Sequence, residues 1–114
     1  HDSPENKAFL SSYAAANDPK VGRANFMAAA GYDTMAAIYE AVRKGGDADA
    51  DKAMAALKGY KWTSPRGPVM IDPETRDIVQ TVYIRKTERV NGQLVNVEFD
   101  KFDRVKDPAK ESSN

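Results

Sequence analysis

The sequence predicts an α/β chain of three helices followed by a short strand and a β-hairpin, without a single core that encloses all of them. Two patterns carry this. In the first half, apolar residues recur at helical spacing between good starting and stopping residues. In the second half, two alternating runs flank Asn91-Gly92, the strongest short hairpin signal. A late hairpin set apart from three helices does not close around one interior, so the fold reads as incomplete.

The elements follow in order. Ser3-Pro4-Glu5 combines a hydroxyl at the N-cap, proline at the first helical position and an acid in the first turn. Phe9, Leu10, Tyr13 and Ala14 form the apolar face, and Asn17-Asp18-Pro19 ends it. The next segment, 20–46, is alanine-rich, with Tyr32, Met35, Tyr39 and Val42 on one stripe and Ala36 and Ile38 beside it. Arg43-Lys44 suit the negative end of the helix dipole, and Gly45-Gly46 stop it. A helix either starts after Gly31, capped by Asp33, or runs through that glycine at a cost of about 1 kcal/mol. A short third helix uses Asp47 or Asp49 as cap, Ala53, Met54 and Leu57 as its face, and Gly59 as its end.

Beyond Tyr60, 64–68 reads as a turn and Val69-Met70-Ile71 as a short strand stopped by Asp72-Pro73. Strands over 78–90 and 94–102 then pair through a two-residue turn. That register sets Glu88 against Val95, Lys86 against Val97, Ile84 against Phe99 and Val82 against Lys101. One face would carry Val82, Ile84, Val95, Val97 and Phe99; the other sets Arg85 opposite Glu98. Residues 106–114 read as a flexible, solvated tail.

Composition narrows the function classes. The 114 residues make one ordinary domain, 41% hydrophobic and 9% aromatic, which suits a globular chain. Seventeen basic residues balance seventeen acidic ones, so no basic field exists to hold a phosphate backbone, and nucleic acid is not an expected partner. With no cysteine there is no disulfide, thiol nucleophile or cysteine-bound metal. No apolar run approaches the length that spans a bilayer. The start, His1-Asp2-Ser3-Pro4, lacks Met, and the chain is expected to be a cut or processed piece of a parent that carried an export signal.

A catalytic reading finds no residues. The one histidine, His1, is terminal; Asp72 and Glu74 flank a proline in a polar turn; Ser11, Ser12 and Ser64 have no evident activating base. The expectation is a non-enzyme with no catalytic residues, no metal and no cofactor.

One ordered set of short motifs is more specific. Gly31-Tyr32-Asp33 opens the run Tyr32-Asp33-Thr34-Met35-Ala36-Ala37-Ile38-Tyr39-Glu40-Ala41, followed by a Gly-Gly stop and a helix ending Ala56-Leu57-Lys58-Gly59. Then come 62–73, opening Trp62-Thr63-Ser64-Pro65 and closing on Asp72-Pro73, then Thr75-Arg76-Asp77-Ile78-Val79-Gln80 and Asn91-Gly92. This order resembles the C-terminal part of type I periplasmic solute-binding proteins of ABC importers, the Leu/Ile/Val-binding, branched-chain amino-acid type. The likeness covers about residues 5–105 and only the last third of such a protein.

The resemblance implies two α/β lobes joined by hinge crossings, with a small solute enclosed between them and delivered to an ABC permease in the periplasm. Helices over 4–59 would belong to the first lobe, and strands over 68–102 would lie near the hinge and second lobe. It also implies ligand-binding residues. A residue about a turn and a half before the helix tyrosine walls the cleft in relatives; that position is Met27, or Phe26 if the alignment shifts by one. Tyr32 completes the set, although all three could simply pack within the lobe. Trp62 could stack on a ligand but more simply anchors its turn, and Arg66 sits between prolines that remove the backbone donors a phosphate cradle needs. The ligand class is an amino acid or an aromatic or aliphatic carboxylate. The alternative reading is an independent α+β interaction module, or a homo-oligomer or strand-swapped dimer formed through exposed edges.

Overall fold

The computed structural model describes residues 1–46 and 48–111. Helix α1 spans Pro4–Ala16; Ser3 caps it by accepting from the Asn6 amide at 3.1 Å. At its other end the Asn17 side chain donates back to the Tyr13 carbonyl at 2.8 Å, which stops the helix where the sequence placed the stop. A single 3-10 turn, Pro19–Val21, and Gly22 at φ 85° lead to α2, Phe26–Gly45. Asn25 caps α2 through the Ala28 amide. Of the two starts open at Gly31, the chain takes the continuous one, so Asp33 is an interior residue and not a cap. Gly46, at φ 79°, returns its amide to Val42 and ends the helix. Helix α3, Ala50–Leu57, is capped by Asp49; Asp47, the other candidate cap, lies outside the described residues.

Four antiparallel strands follow in the order β1-β2-β3-β4: Lys61–Ser64, Gly67–Ile71, Ile78–Val90 and Gln93–Val105. The strand β1 is an addition to the expected set. Its residues Trp62 and Ser64 face inward while Lys61 and Thr63 face solvent, a two-cycle alternation that the turn residues Ser64-Pro65 obscure. It pairs with β2 through Pro65-Arg66, with Gly67 at φ 96° against the Tyr83 hydroxyl. Asn91 and Gly92, at φ 50° and 80°, make the tight β3–β4 turn.

The expected register holds from that turn to Arg85 opposite Glu98, then slips. Ile84 faces Asp100, not Phe99, and Val82 faces Phe102, not Lys101. The extra residue on β4 is Phe99, which is bulged and 61% exposed rather than sharing a sheltered face with Ile84. Arg104, at φ 57°, accompanies a second irregularity, and β4 runs on to Val105. In the 106–111 segment a helical turn, α4 (Pro108–Glu111), follows, with residues 106–110 exposed to solvent. Residues 112–114 of the tail lie outside the described residues.

The interior is thin. Phe9, Ala29, Ala41, Val69 and Val79 are its buried apolar residues, most of them small. The radius of gyration is 16.4 Å, against about 13 Å for a compact chain of this length. The accessible surface is 8367 Å², roughly 2,000 Å² above that of a compact monomer of this size. The apolar stripe Tyr32, Met35, Tyr39 and Val42, with Ile38 beside it, stands partly or largely in solvent.

Candidate functional site

A buried polar cluster joins α2 to the sheet. Asp33 is 4% exposed and Ser64 is fully buried. The Asp33 Oδ2 accepts from the Ser64 hydroxyl at 2.7 Å and from Nε and Nη2 of Arg66, both at 2.8 Å. Its Oδ1 faces the Trp62 indole N–H at 3.4 Å. Arg66 spends its third nitrogen, Nη1, on the Gln80 side chain of β3 at 2.8 Å. Its amide donates to Ser64 Oγ at 3.0 Å. Charge-assisted bonds of this kind hold a buried carboxylate without leaving it unpaired. Trp62 also stacks on Tyr60, with centroids 5.0 Å apart and planes 13° from parallel. Thus neither Trp62 nor Arg66 presents a free recognition group. Both anchor the β1–β2 turn.

The three residues named as ligand-binding candidates do not converge. Phe26 and Met27 occupy the first turn of α2, 76% and 68% exposed. Tyr32 is 49% exposed and turns the other way, packing against Phe9 of α1 with ring centroids 5.2 Å apart. The helical repeat explains the split: five residues separate Met27 from Tyr32 and six separate Phe26 from it, which puts both roughly a third of a turn or more away from it. Tyr32 instead lines an open groove of about 560 Å³ between α1 and α2, with Phe9, Tyr13, Met35 and Tyr39.

Elsewhere charge is spent locally. Asp72, 3% exposed, accepts from the amides of Glu74 and Thr75 and pairs with Lys106 at 3.0 Å. Those amides, Glu74 first, and Lys106 hold its carboxyl below the usual range. Lys110 does the same to Asp77, at 2.8 Å. Two lysines of the 106–111 segment are thereby tied to the β2–β3 turn. The Arg43 and Lys44 side chains hold Glu40 at about 2, stitching the last turns of α2. Among the described residues no three His, Asp or Glu side chains gather as a metal-holding group.

The Asp33 cluster was missed as a unit in the sequence. The signal available was one acid on an otherwise alanine-lined helix face, with Ala29 and Ala37 four residues either side. Its partners lie 29 to 33 residues later.

This chain belongs to the periplasmic binding protein family, whose model matches residues 1–93. Among its relatives, a Leu/Ile/Val-binding protein homologue of Brucella abortus is 41% identical over 111 residues, covering 95% of this chain and 28% of that protein. A solute-binding protein of an ABC transporter from Rhodopseudomonas palustris BisB5, solved with 3,4-dihydroxybenzoic acid, superposes with TM-score 0.85 at 54% identity, over 96% of this chain and 30% of the other. Another R. palustris solute-binding protein, solved with 4-hydroxybenzoate, gives TM-score 0.87 at 46% identity with the same coverage. The fold class is therefore that of type I periplasmic binding proteins. The chain spans under a third of the length of these relatives.

Proposed function

We propose that this chain is the C-terminal part of an extracytoplasmic receptor that captures a hydroxylated aromatic carboxylate and presents it to an ABC permease. The observation that carries the reading is 45 to 54% identity to three R. palustris solute-binding proteins solved with hydroxybenzoates. The curated relative named for branched-chain amino acids is less similar, at 41%. In this reading the role is ligand capture without chemistry, carried out in the periplasm. The helices over 4–59 complete the first lobe, and the strands over 68–102 cross near the hinge toward the second.

Phe26 and Met27 are the residues we assign to the wall of the solute cleft. Large apolar side chains left this exposed at a helix start suit a surface covered by ligand or by the facing lobe. Tyr32, turned onto Phe9, is assigned to packing within the lobe rather than to the ligand.

Isothermal titration of the complete receptor carrying this chain tests the proposal. Saturable binding of 3,4-dihydroxybenzoate, much tighter than that of leucine, is the expected result, with weak or no binding by residues 1–114 alone. Preference for leucine would overturn the ligand class. Equal affinity in the isolated chain would overturn the two-lobed capture mechanism.

A further inference from the structure

We infer that Asp33 is a positioning residue for solute capture, whose grip on Trp62, Ser64 and Arg66 fixes the rotation of α2 and so the direction in which Phe26 projects. The inference rests on the proposal that Phe26 walls the solute cleft. Seven residues separate Phe26 from Asp33, which is about 20° short of two helical turns and about 10 Å along the axis. The two side chains therefore leave α2 on nearly the same bearing, which Asp33 directs onto the β1–β2 hairpin, and helical side chains lean toward the N-terminus. Met27 leaves about 120° away from Asp33.

The bearing needs a key, because the rest of that face has little shape. Ala29 and Ala41 are its other buried residues, and methyl groups pack almost as well after a small rotation. Directional bonds do not tolerate that freedom. Asp33 Oδ2 takes Ser64 Oγ at 2.7 Å and two Arg66 nitrogens at 2.8 Å, while Arg66 is held in turn by Gln80 at 2.8 Å. Even a small rotation would strain these bonds and turn Phe26 and Met27 away from their present bearings. The cluster thus couples the β1–β2 hairpin to the direction in which the wall side chains meet the solute.

The test uses the complete receptor with Asp33→Asn, Arg66→Lys and Phe26→Ala, each titrated with 3,4-dihydroxybenzoate and with 4-hydroxybenzoate. A merely structural role lowers the folded fraction and leaves the ratio of the two dissociation constants alone. A positioning role changes that ratio, because the wall is re-aimed. The expected result is a ratio altered by about fivefold or more in both Asp33→Asn and Arg66→Lys, which corresponds to about 1 kcal/mol. A ratio within about twofold of the parent in every folded one of these two variants overturns the inference, whatever happens to overall affinity. Should Asp33→Asn fail to fold, Arg66→Lys decides alone by the same criterion. Phe26→Ala separates the layers: no effect of that change on either constant defeats the wall assignment itself, whereas a clear effect with unaltered ratios in the other two defeats only the positioning role.

Discussion

The backbone of Gly45, at the end of α2, lies against that of Ala53 in α3 so closely that a β-carbon on the glycine would overlap the Ala53 and Lys52 main chain. This contact sets how tightly the two helices pack. Gly46, one residue on, is different: a β-carbon there would meet open space, and only its φ of 79° demands glycine. Gly45→Ala is therefore expected to destabilise the receptor by about 1–3 kcal/mol through overpacking. Gly46→Ala should cost about 1–3 kcal/mol through its backbone alone, since φ 79° with ψ 169° is a conformation essentially restricted to glycine. Urea unfolding of the complete receptor checks both; an unchanged midpoint for Gly45→Ala would contradict the packing account.

Ser64 is the most deeply buried polar side chain described, and it both donates to Asp33 and accepts from the Arg66 amide. Ser64→Ala strips the carboxylate of one donor and leaves an amide without its acceptor. The expected loss is about 1–3 kcal/mol, accompanied by a shift in Trp62 emission because the indole N–H shares the same carboxylate. Denaturation followed by fluorescence measures both at once. A stability within about 0.5 kcal/mol of the parent would show that the cluster is held by Arg66 alone.

Acid should weaken the chain in a defined window. Glu40, Asp72, Asp77 and Asp103 all have carboxyl groups held below their ordinary values in the folded state. Depressed folded values mean stability that is fully present above the ordinary carboxylate range and is lost as pH falls through the folded ones. The melting temperature is thus expected to be steady from neutrality to about pH 5 and to fall from there toward about pH 2. Asp72→Asn should lower the melting temperature at neutral pH and flatten that acid limb. Parallel acid limbs for variant and parent would remove Asp72 from the explanation.

The cross-strand pair Arg85–Glu98, at 3.2 Å with half of the arginine in solvent, should matter little. Arg85→Ala is expected to cost less than about 1 kcal/mol. A larger loss in thermal melting would mean that the hairpin depends on charge pairing more than on its strands.

Much of this fold is visible in short stretches of sequence because its causes are short-ranged. Ser3 and Asp49 each cap through an amide three residues ahead, and Asn91-Gly92 supplies the two positive φ angles its turn needs. The hairpin register follows from that turn as far as Arg85 and Glu98. It fails at Phe99 because the alternation of Val97, Glu98, Phe99 and Asp100 continues unbroken in sequence while the backbone inserts a bulge. Strand β1 escaped notice because four residues give only two cycles of alternation beside a proline. Asp33 was the least legible residue. In Gly31-Tyr32-Asp33 it has the local marks of a helix cap, and only the tertiary fold supplies Trp62, Ser64 and Arg66. Gly45 shows the same limit: Gly45-Gly46 is the helix stop its sequence suggests, but nothing local reveals the contact of Gly45 with α3.

In the proposed two-lobed receptor, polypeptide outside this chain covers the apolar α1–α2 groove, which stands open in residues 1–114. Hydroxyl-radical footprinting of Tyr32, Met35 and Tyr39, in residues 1–114 alone and in the complete receptor, measures that directly. Strong labelling of all three in the isolated chain and marked protection in the receptor is the predicted result. Equal labelling in both would contradict it, because the groove would then face water in the finished protein.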